Sequence, residues 1–240
     1  MSKEYVMNKN LEIWEDIFQN NEWGKYPSLT VVRFVARNFY KVPNRKDIRI
    51  LELGCGTGAN LWYCAREGFS VIGLDGSKTA LNTMISRFNT EHLNSNLIYA
   101  RDGDYSLTIE DIEDDSLDAI IDVESLYCNS FSKTRQIIQK SFKKLKVGGK
   151  MMSQTFSDDT LGIGFNCENN VDCEDEFYHA EFPKSKYFCD KGFFRYTTKE
   201  DIEKLYKLDN NEINSIHRLD YVYNEDEKLK EWIIEIEKKC

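Results

Sequence analysis

Leu51-Glu52-Leu53-Gly54-Cys55-Gly56-Thr57-Gly58 decides how this chain is read. Ile48 to Leu53 is a short apolar run, and the glycines that end it open a helical pattern from Asn60 to Glu67. Glycine allows the tight turn there and lets the backbone approach a nucleotide-like ligand with no Cβ in the way. The spacing is G-x-G-x-G. A dinucleotide site spaces its glycines G-x-G-x-x-G and sets a pyrophosphate on the helix N-terminus, but Ala59 stands at that third position here. Glu52, two residues before Gly54, would repel a pyrophosphate and suits a cationic ligand group.

Downstream, apolar runs and helical patterns alternate. Ser70 to Leu74 reads as a second strand and Lys78 to Asn89 as its helix. Asn96 to Arg101 and Leu117 to Val123 read as a third and a fourth strand. The pattern from Thr134 to Leu145 is helical, with Gly148-Gly149 as its expected C-cap pair, before a strand from Lys150 to Thr155. Strand–helix–strand units with short links predict parallel strands joined by right-handed crossovers, hence a doubly wound α/β sheet. Val71-Ile72-Gly73-Leu74-Asp75 puts an acid at the end of the second strand, where it can accept both hydroxyls of a ribose at the switch point of such a sheet.

Two helical patterns precede the sheet. Leu11, Trp14, Ile17 and Phe18 share one face, and Val31, Val32, Val35, Ala36 and Phe39 another, with a Gly-Pro break at Glu22 to Pro27. Residues 1–43 are expected to form a helical cap, with Trp23, Tyr26 and Arg33 as candidate cleft-facing side chains. Residues 44–240 form the main domain. Within it, 157–192 lacks periodicity and reads as an insertion on the substrate side. Phe193 to Tyr196 looks extended, Thr198 to Leu208 helical and Ser215 to Tyr223 strand-like, while Lys228 to Ile236 fits helix or strand.

Composition narrows the function classes. The 240 residues carry a formal net charge of -9 and no basic stripe, so a nucleic-acid partner is not expected. No segment reaches the roughly 20 apolar residues of a membrane span. The first residues lack a signal-peptide pattern, which leads to an expectation of a cytoplasmic, monomeric or homodimeric protein. Seven cysteines, an odd number, fit reduced thiols better than a disulfide framework. Cys167, Cys173 and Cys189 are spaced too widely for paired zinc ligands, so no metal is expected.

Four landmarks in order, Glu52-x-Gly54-x-Gly56-x-Gly58, Asp75, Gly103-Asp104 and Leu145-Lys146-Val147-Gly148-Gly149-Lys150, resemble the class I S-adenosylmethionine-dependent methyltransferases over residues 48 to 156. The resemblance implies a Rossmann-like, mostly parallel seven-stranded sheet with helices on both faces and an antiparallel C-terminal strand. It also implies that Gly54, Gly56 and Gly58 lie under the methionine and ribose parts of S-adenosylmethionine. Glu52 would support the loop or the ammonium, and Asp75 would hold the ribose. An acid after the third strand would lie beside the adenine. Asp104 and Asp102 both fit that register, with Gly103 between them and Gly76 replacing a larger residue after the ribose acid.

Methyl transfer needs chiefly a nucleophile held in line, and a base only when the acceptor is protonated. The end of the fourth strand is where an acceptor would meet the methyl group. Asp122 and Glu124 are candidate polar contacts there and Tyr127 a candidate wall, with a local backbone cap as the alternative role for Asp122. Of the three histidines, His179 falls in the insertion and is the candidate general base, while His217 reads as lying on a sheet face and His92 at a surface helix end. The acidic run at Asp172 and Glu174 to Glu176 would favour an amine-bearing acceptor if it lay over a cleft. Trp23-Gly24-Lys25-Tyr26-Pro27 resembles segments in methyltransferases of bacterial surface-sugar clusters. The expected reaction is transfer of a methyl group to an oxygen or nitrogen of a small molecule, such as a sugar or sugar-linked metabolite. A protein or peptide acceptor, or a non-catalytic S-adenosylmethionine-binding subunit, is the alternative.

Overall fold

The computed structural model describes residues 3–158, 160, 178–179, 193–222 and 228–240, with side chains at 9–158, 160, 195–222 and 228–240. A seven-stranded sheet organises them. The first strand is β1 (Arg49–Leu53), with β2 (Ser70–Asp75), β3 (Leu97–Asp102), β4 (Leu117–Val123) and β5 (Leu145–Phe156) following in sequence. Later come β8 (Asn211–Val222) and β9 (Lys228–Lys238), giving the order β3-β2-β1-β4-β5-β9-β8. Pairs among the first five strands are parallel, and β9 runs antiparallel to both β5 and β8. A separate ribbon pairs β6 (Tyr178–His179) with β7 (Phe193–Phe194).

Side-chain alternation splits the core into two layers. Leu51, Leu53, Ile72, Leu74 and Ile120 face one side, where they pack with Ile137, Ile138 and Phe142 of α6 (Phe131–Lys144) and with Ile202 and Leu205 of α7 (Lys199–Tyr206). Ile50, Val71, Ala119 and Ile121 face the other. There they meet α2 (Leu29–Phe39), α3 (Ala59–Arg66) and α4 (Lys78–Thr90) through Val31, Phe34, Leu61 and Met84. This period of two, with both faces covered, is why β1 and β2 read as continuous apolar runs and not as amphipathic strands.

Local chemistry sets the helix starts. Ser77 and Ser130 cap α4 and α6 by accepting from the backbone N–H of Ala80 and Lys133, and Thr198 with Asp201 forms a reciprocal capping box on α7. Because Ser130 caps α6, that helix begins three residues before the expected Thr134. It also ends at Lys144, so Gly148-Gly149 is not its C-cap. Gly148, at φ 81°, instead lies inside β5, where the register against β4 shifts between Leu117 and Ala119. The segment that fitted helix or strand is β9, which fills the slot between β5 and β8.

Strand order reverses between β1 and β4. Their carboxyl ends therefore diverge into a crevice, the place where open α/β sheets take ligands. The helix α1 (Lys3–Asn20) lies over that crevice.

Candidate active site

A cavity of about 420 Å³ opens at the carboxyl ends of β1, β2 and β4. Its floor is the glycine turn. Gly54 and Gly56 line it at φ 66° and 51°, and the backbone N–H groups of Gly54 and Cys55 donate to Leu74 O at 2.8 and 3.1 Å. A Cβ on Gly54 would overlap the Ser125 side chain on the facing loop, so two turns meet here with only glycine between them.

Glu52 ends up on the cavity wall, 2% exposed. Its Oε1 accepts from Asn60 Nδ2 at 2.6 Å, and the Asn60 Oδ1 accepts from Ser28 N at 2.9 Å. The other oxygen, Oε2, is buried with no hydrogen-bond partner among the described residues. Burial, with smaller contributions from Asp75 and Asp122, pushes the Glu52 carboxyl up to about 8 against the pull of Asn60. An orphaned buried oxygen on a cavity wall is a place for a cationic donor.

Asp75 is 7% exposed and held from both sides. Oδ2 accepts from Gly56 N and Oδ1 from Ser77 N, each at 2.7 Å. Burial raises its pKa to about 6, and the two backbone donors oppose that rise. The carboxylate thus ties the glycine turn to the end of β2, and each oxygen keeps lone-pair capacity for a ligand. Asp104 caps the short helix α5 (Tyr105–Thr108), accepts from Ser106 N at 2.9 Å and pairs with Lys133 Nζ at 2.7 Å. Burial raises its pKa, but the bonds from Lys133 and Ser106 outweigh it and leave Asp104 below the ordinary carboxylate value.

The roof comes from the N-terminal segment. Leu11, Trp14 and Phe18 of α1 and Trp23 and Tyr26 of the next loop face the cavity. Trp14, Phe18 and Trp23 form one ring cluster, with centroids 5.3 to 5.9 Å apart. Polar contacts hold α1 down. Asn10 Nδ2 donates to Cys128 O at 2.9 Å, and Glu15 accepts from Ser77 Oγ and Thr79 Oγ1, both at 2.5 Å, at the N-terminus of α4. Burial raises the Glu15 pKa, but its hydrogen bonds dominate and bring it to about 2 from 4.5. A depressed acid stabilises the docked form fully above its undocked value and loses that contribution as pH falls through its docked value. Docking of α1 should therefore weaken between pH 4.5 and about 2. Tryptophan emission from Trp14 and Trp23 should show an acid transition in that window, absent from Glu15→Ala; identical titrations would contradict the latch.

At the far end stand Glu124 and Tyr127. Glu124 sits at φ 53° directly after β4, and Tyr127 packs on Phe156 with ring centroids 4.8 Å apart. Burial raises the Tyr127 pKa, so its phenol stays protonated. Tyr105 OH receives Asn129 Nδ2 at 2.9 Å and bonds the Ser125 hydroxyl at 3.0 Å, which closes the wall between Asp104 and β4.

A family model described as a methyltransferase domain matches residues 44–231, most of the chain. The chain belongs to this methyltransferase family. With membership come an enzyme of class I and its methyl donor, S-adenosylmethionine. The fold agrees with solved methyltransferases. The chain is similar to 1,6-didemethyltoxoflavin-N1-methyltransferase from Burkholderia thailandensis, at 10% identity and TM-score 0.72, over 100% of this chain and 92% of that one. It is also similar to a SAM-dependent methyltransferase from Methanosarcina mazei, at 19% identity and TM-score 0.64, over 81% and 94%. Haemonchus contortus phosphoethanolamine N-methyltransferase 2 aligns at 16% identity and TM-score 0.62, over 99% and 58%. No curated protein matches the chain.

Within this methyltransferase, Glu52, Gly54, Gly56, Asp75, Gly76, Asp104, Glu124 and Tyr127 line one cavity. Four other expected contacts do not. Gly58, at φ 77°, packs against Met84 and starts α3, so it serves the turn and the core. Asp102 is exposed at the end of β3, which leaves Asp104 as the acid of that pair on the cavity. Gly103 donates from its N–H to Asp75 O at 2.9 Å and shapes the turn between them. Asp122 is fully buried behind the wall, where it accepts from Ser125 N at 3.2 Å, Leu126 N at 2.9 Å and the Ser153 hydroxyl. It is the local cap that its sequence setting allowed. Asp122→Ala would orphan those donors and should lower stability by roughly 2–5 kcal/mol in urea unfolding; a loss of ligand affinity at unchanged stability would return Asp122 to the binding site.

Arg33 is exposed and not on the cavity. The His179 side chain, Cys167, Cys173, Cys189 and the acidic run lie outside the described residues. Among the described residues no His, Cys, Asp and Glu cluster could hold a metal and no helix is long and apolar enough to cross a membrane. Asn60, Asn10 and Tyr105 were not anticipated. Asn60 alone carried a signal, as a polar residue in the first turn after the glycines.

Proposed function

We propose that this methyltransferase acts on an oxygen or nitrogen of a small molecule enclosed beneath α1 and the loop that follows it. The carrying observation is the roof. A small cavity covered by Leu11, Trp14, Phe18 and Trp23 suits a small acceptor, whereas a protein or peptide acceptor calls for a broad open cleft. Residues 1–43 then include the lid, with α1 and its loop closing the site, and 157–192 remains the candidate substrate-side insertion.

S-adenosylmethionine supplies a methyl carbon activated by a sulfonium. The residues present fit its other groups. Glu52 Oε2, buried with no hydrogen-bond partner among the described residues, takes the ammonium, with Asn60 steadying the other oxygen. Asp75 offers its remaining lone pairs to the ribose hydroxyls, and Asp104 stands on the adenine side. Tyr127 walls the acceptor space, and Glu124 contacts the acceptor. His179 stays a candidate base, as does Glu124. Carboxylates are the charged groups among the described lining residues, which favours a neutral or amine-bearing acceptor over an anion. A sugar or sugar-linked metabolite with a free hydroxyl or amine is the first class to test.

The Glu52 setting gives a pH signature. Folding raises this acid from 4.5 to about 8, so the empty protein takes up a proton, and that contribution to stability falls as pH rises across the same window. An ammonium beside Oε2 reverses the shift. Binding of S-adenosylhomocysteine at pH 7 should release up to about one proton and tighten as pH rises toward 8. Calorimetry in two buffers of different ionisation heat counts that proton; zero exchange would remove Glu52 from the ammonium site.

The acceptor class is tested by incubating the enzyme with methyl-labelled S-adenosylmethionine and cell extract split into small-molecule and protein fractions. Label in the small molecules supports the proposal. Label confined to protein supports the peptide alternative, and donor binding with no label in either supports a non-catalytic subunit.

A further inference from the structure

Behind the acceptor end of the cavity lie two carboxyl groups from distant parts of the chain. Glu124 follows β4 in a left-handed backbone conformation, φ 53°, that non-glycine residues adopt at a cost. Its N–H donates to Gln154 O at 2.9 Å, which holds the turn against β5. Glu231, on β9, is 1% exposed. Gln154 Nε2 reaches both Glu231 oxygens at 2.9 Å and Glu124 Oε1 at 3.4 Å. Thr30 Oγ1 donates to Gln154 Oε1 at 2.5 Å on the other side of that amide. The two acids are themselves hydrogen-bonded through their side chains.

Two carboxylates this close do not both ionise in a buried site. Glu231, 1% exposed while Glu124 lines the cavity, is the costlier of the two to ionise. Burial raises its pKa, and the neighbouring Glu124 raises it further. Glu124, by contrast, reaches the cavity. A buried acid pair costs stability that an apolar pair in the same place would not, so its position at the acceptor end points to chemistry.

We propose that Glu231 is a positioning residue for methyl transfer. It donates a hydrogen bond to Glu124 and holds that carboxylate at the acceptor end of the cavity. Glu124 there takes the proton of an N–H or O–H nucleophile. In that step the N–H or O–H bond breaks, its electron pair stays on the acceptor atom, and the new O–H bond on Glu124 cancels the carboxylate charge. The proposal rests on the methyltransferase reading and narrows the acceptor to a protic nucleophile, with Gln154 and Thr30 as the frame that sets the pair.

The test compares two ligands by calorimetry. One is S-adenosylhomocysteine. The other is sinefungin, an analogue carrying an amine in place of the transferable methyl group. The wild type should prefer sinefungin by about tenfold, the size of one charge-assisted hydrogen bond. Glu124→Gln should erase that preference. Glu231→Gln, whose amide N–H can still donate to Glu124, should keep it, and Glu231→Leu should lose most of it. In infrared spectra at neutral pH the wild type should show a carboxylic-acid carbonyl band that Glu231→Gln removes. If Glu231→Leu does not fold, that band and Glu231→Gln still decide. Loss of the preference in Glu231→Gln, equal preference in Glu124→Gln and wild type, or no Glu231 acid band overturns the proposal. S-adenosylhomocysteine binding without any sinefungin preference overturns it while leaving the methyltransferase reading intact; failure to bind either ligand overturns both.

Discussion

Replacing Gly54 by alanine is expected to abolish S-adenosylhomocysteine binding, with a loss of about a hundredfold or more. Two costs combine. The φ of 66° is a left-handed conformation, and the added Cβ overlaps Ser125. Ser125 has little room to retreat, because its hydroxyl bonds Tyr105 at 3.0 Å and its N–H donates to Asp122. Relief must come from moving the glycine turn or the Ser125 loop, and both line the cavity. Calorimetry with a parallel thermal melt checks this. A variant that binds within threefold of wild type would show that neither turn shapes the ligand site.

The second large effect is expected for Asp75→Ala. It removes the acceptor of two buried backbone donors, Gly56 N and Ser77 N, as well as the group assigned to the ribose. Affinity should fall by about 1–3 kcal/mol, or roughly 5- to 150-fold. Comparison with Asp122→Ala separates binding from scaffolding. Both acids are buried acceptors of backbone N–H groups, but only Asp75 faces the cavity. The first should lose affinity, the second mainly stability. Unchanged affinity in Asp75→Ala, measured by titration, would remove the ribose assignment.

The parts legible in sequence are those whose chemistry is local. A G-x-G-x-G turn after an apolar run, an acid ending the next strand and the spacing of strands and helices depend on neighbours a few residues away. They led to the sheet, the glycine floor and Asp75. The doublet Asp102 and Asp104 was ambiguous because both flank the same glycine; only the turn at Gly103 directs one outward and the other to the cavity. For Asp122 the contact and the local cap both stayed open in sequence for a related reason. Strand alternation tells which residues share a face, not whether a face meets a cavity or the donors of Ser125 and Leu126.

Long-range placement was not legible. Glu231 lies 107 residues beyond Glu124 and meets it only because β9 inserts antiparallel between β5 and β8, pairing Phe156 with Glu231. No local pattern announces which strand takes that slot. The roof is similar. Leu11, Trp14, Ile17 and Phe18 share an apolar face in the sequence, and the first, second and fourth line the cavity, but the partner of that face depends on Glu15 meeting Ser77 and Thr79 some sixty residues away.

Calorimetric titration of the purified wild-type chain with S-adenosylhomocysteine, with NADH as control, reads the methyl-donor site itself. Micromolar binding of S-adenosylhomocysteine, release of a proton at pH 7 and no binding of NADH are expected. A folded chain that binds neither, or binds NADH in its place, would contradict the assignment of that site.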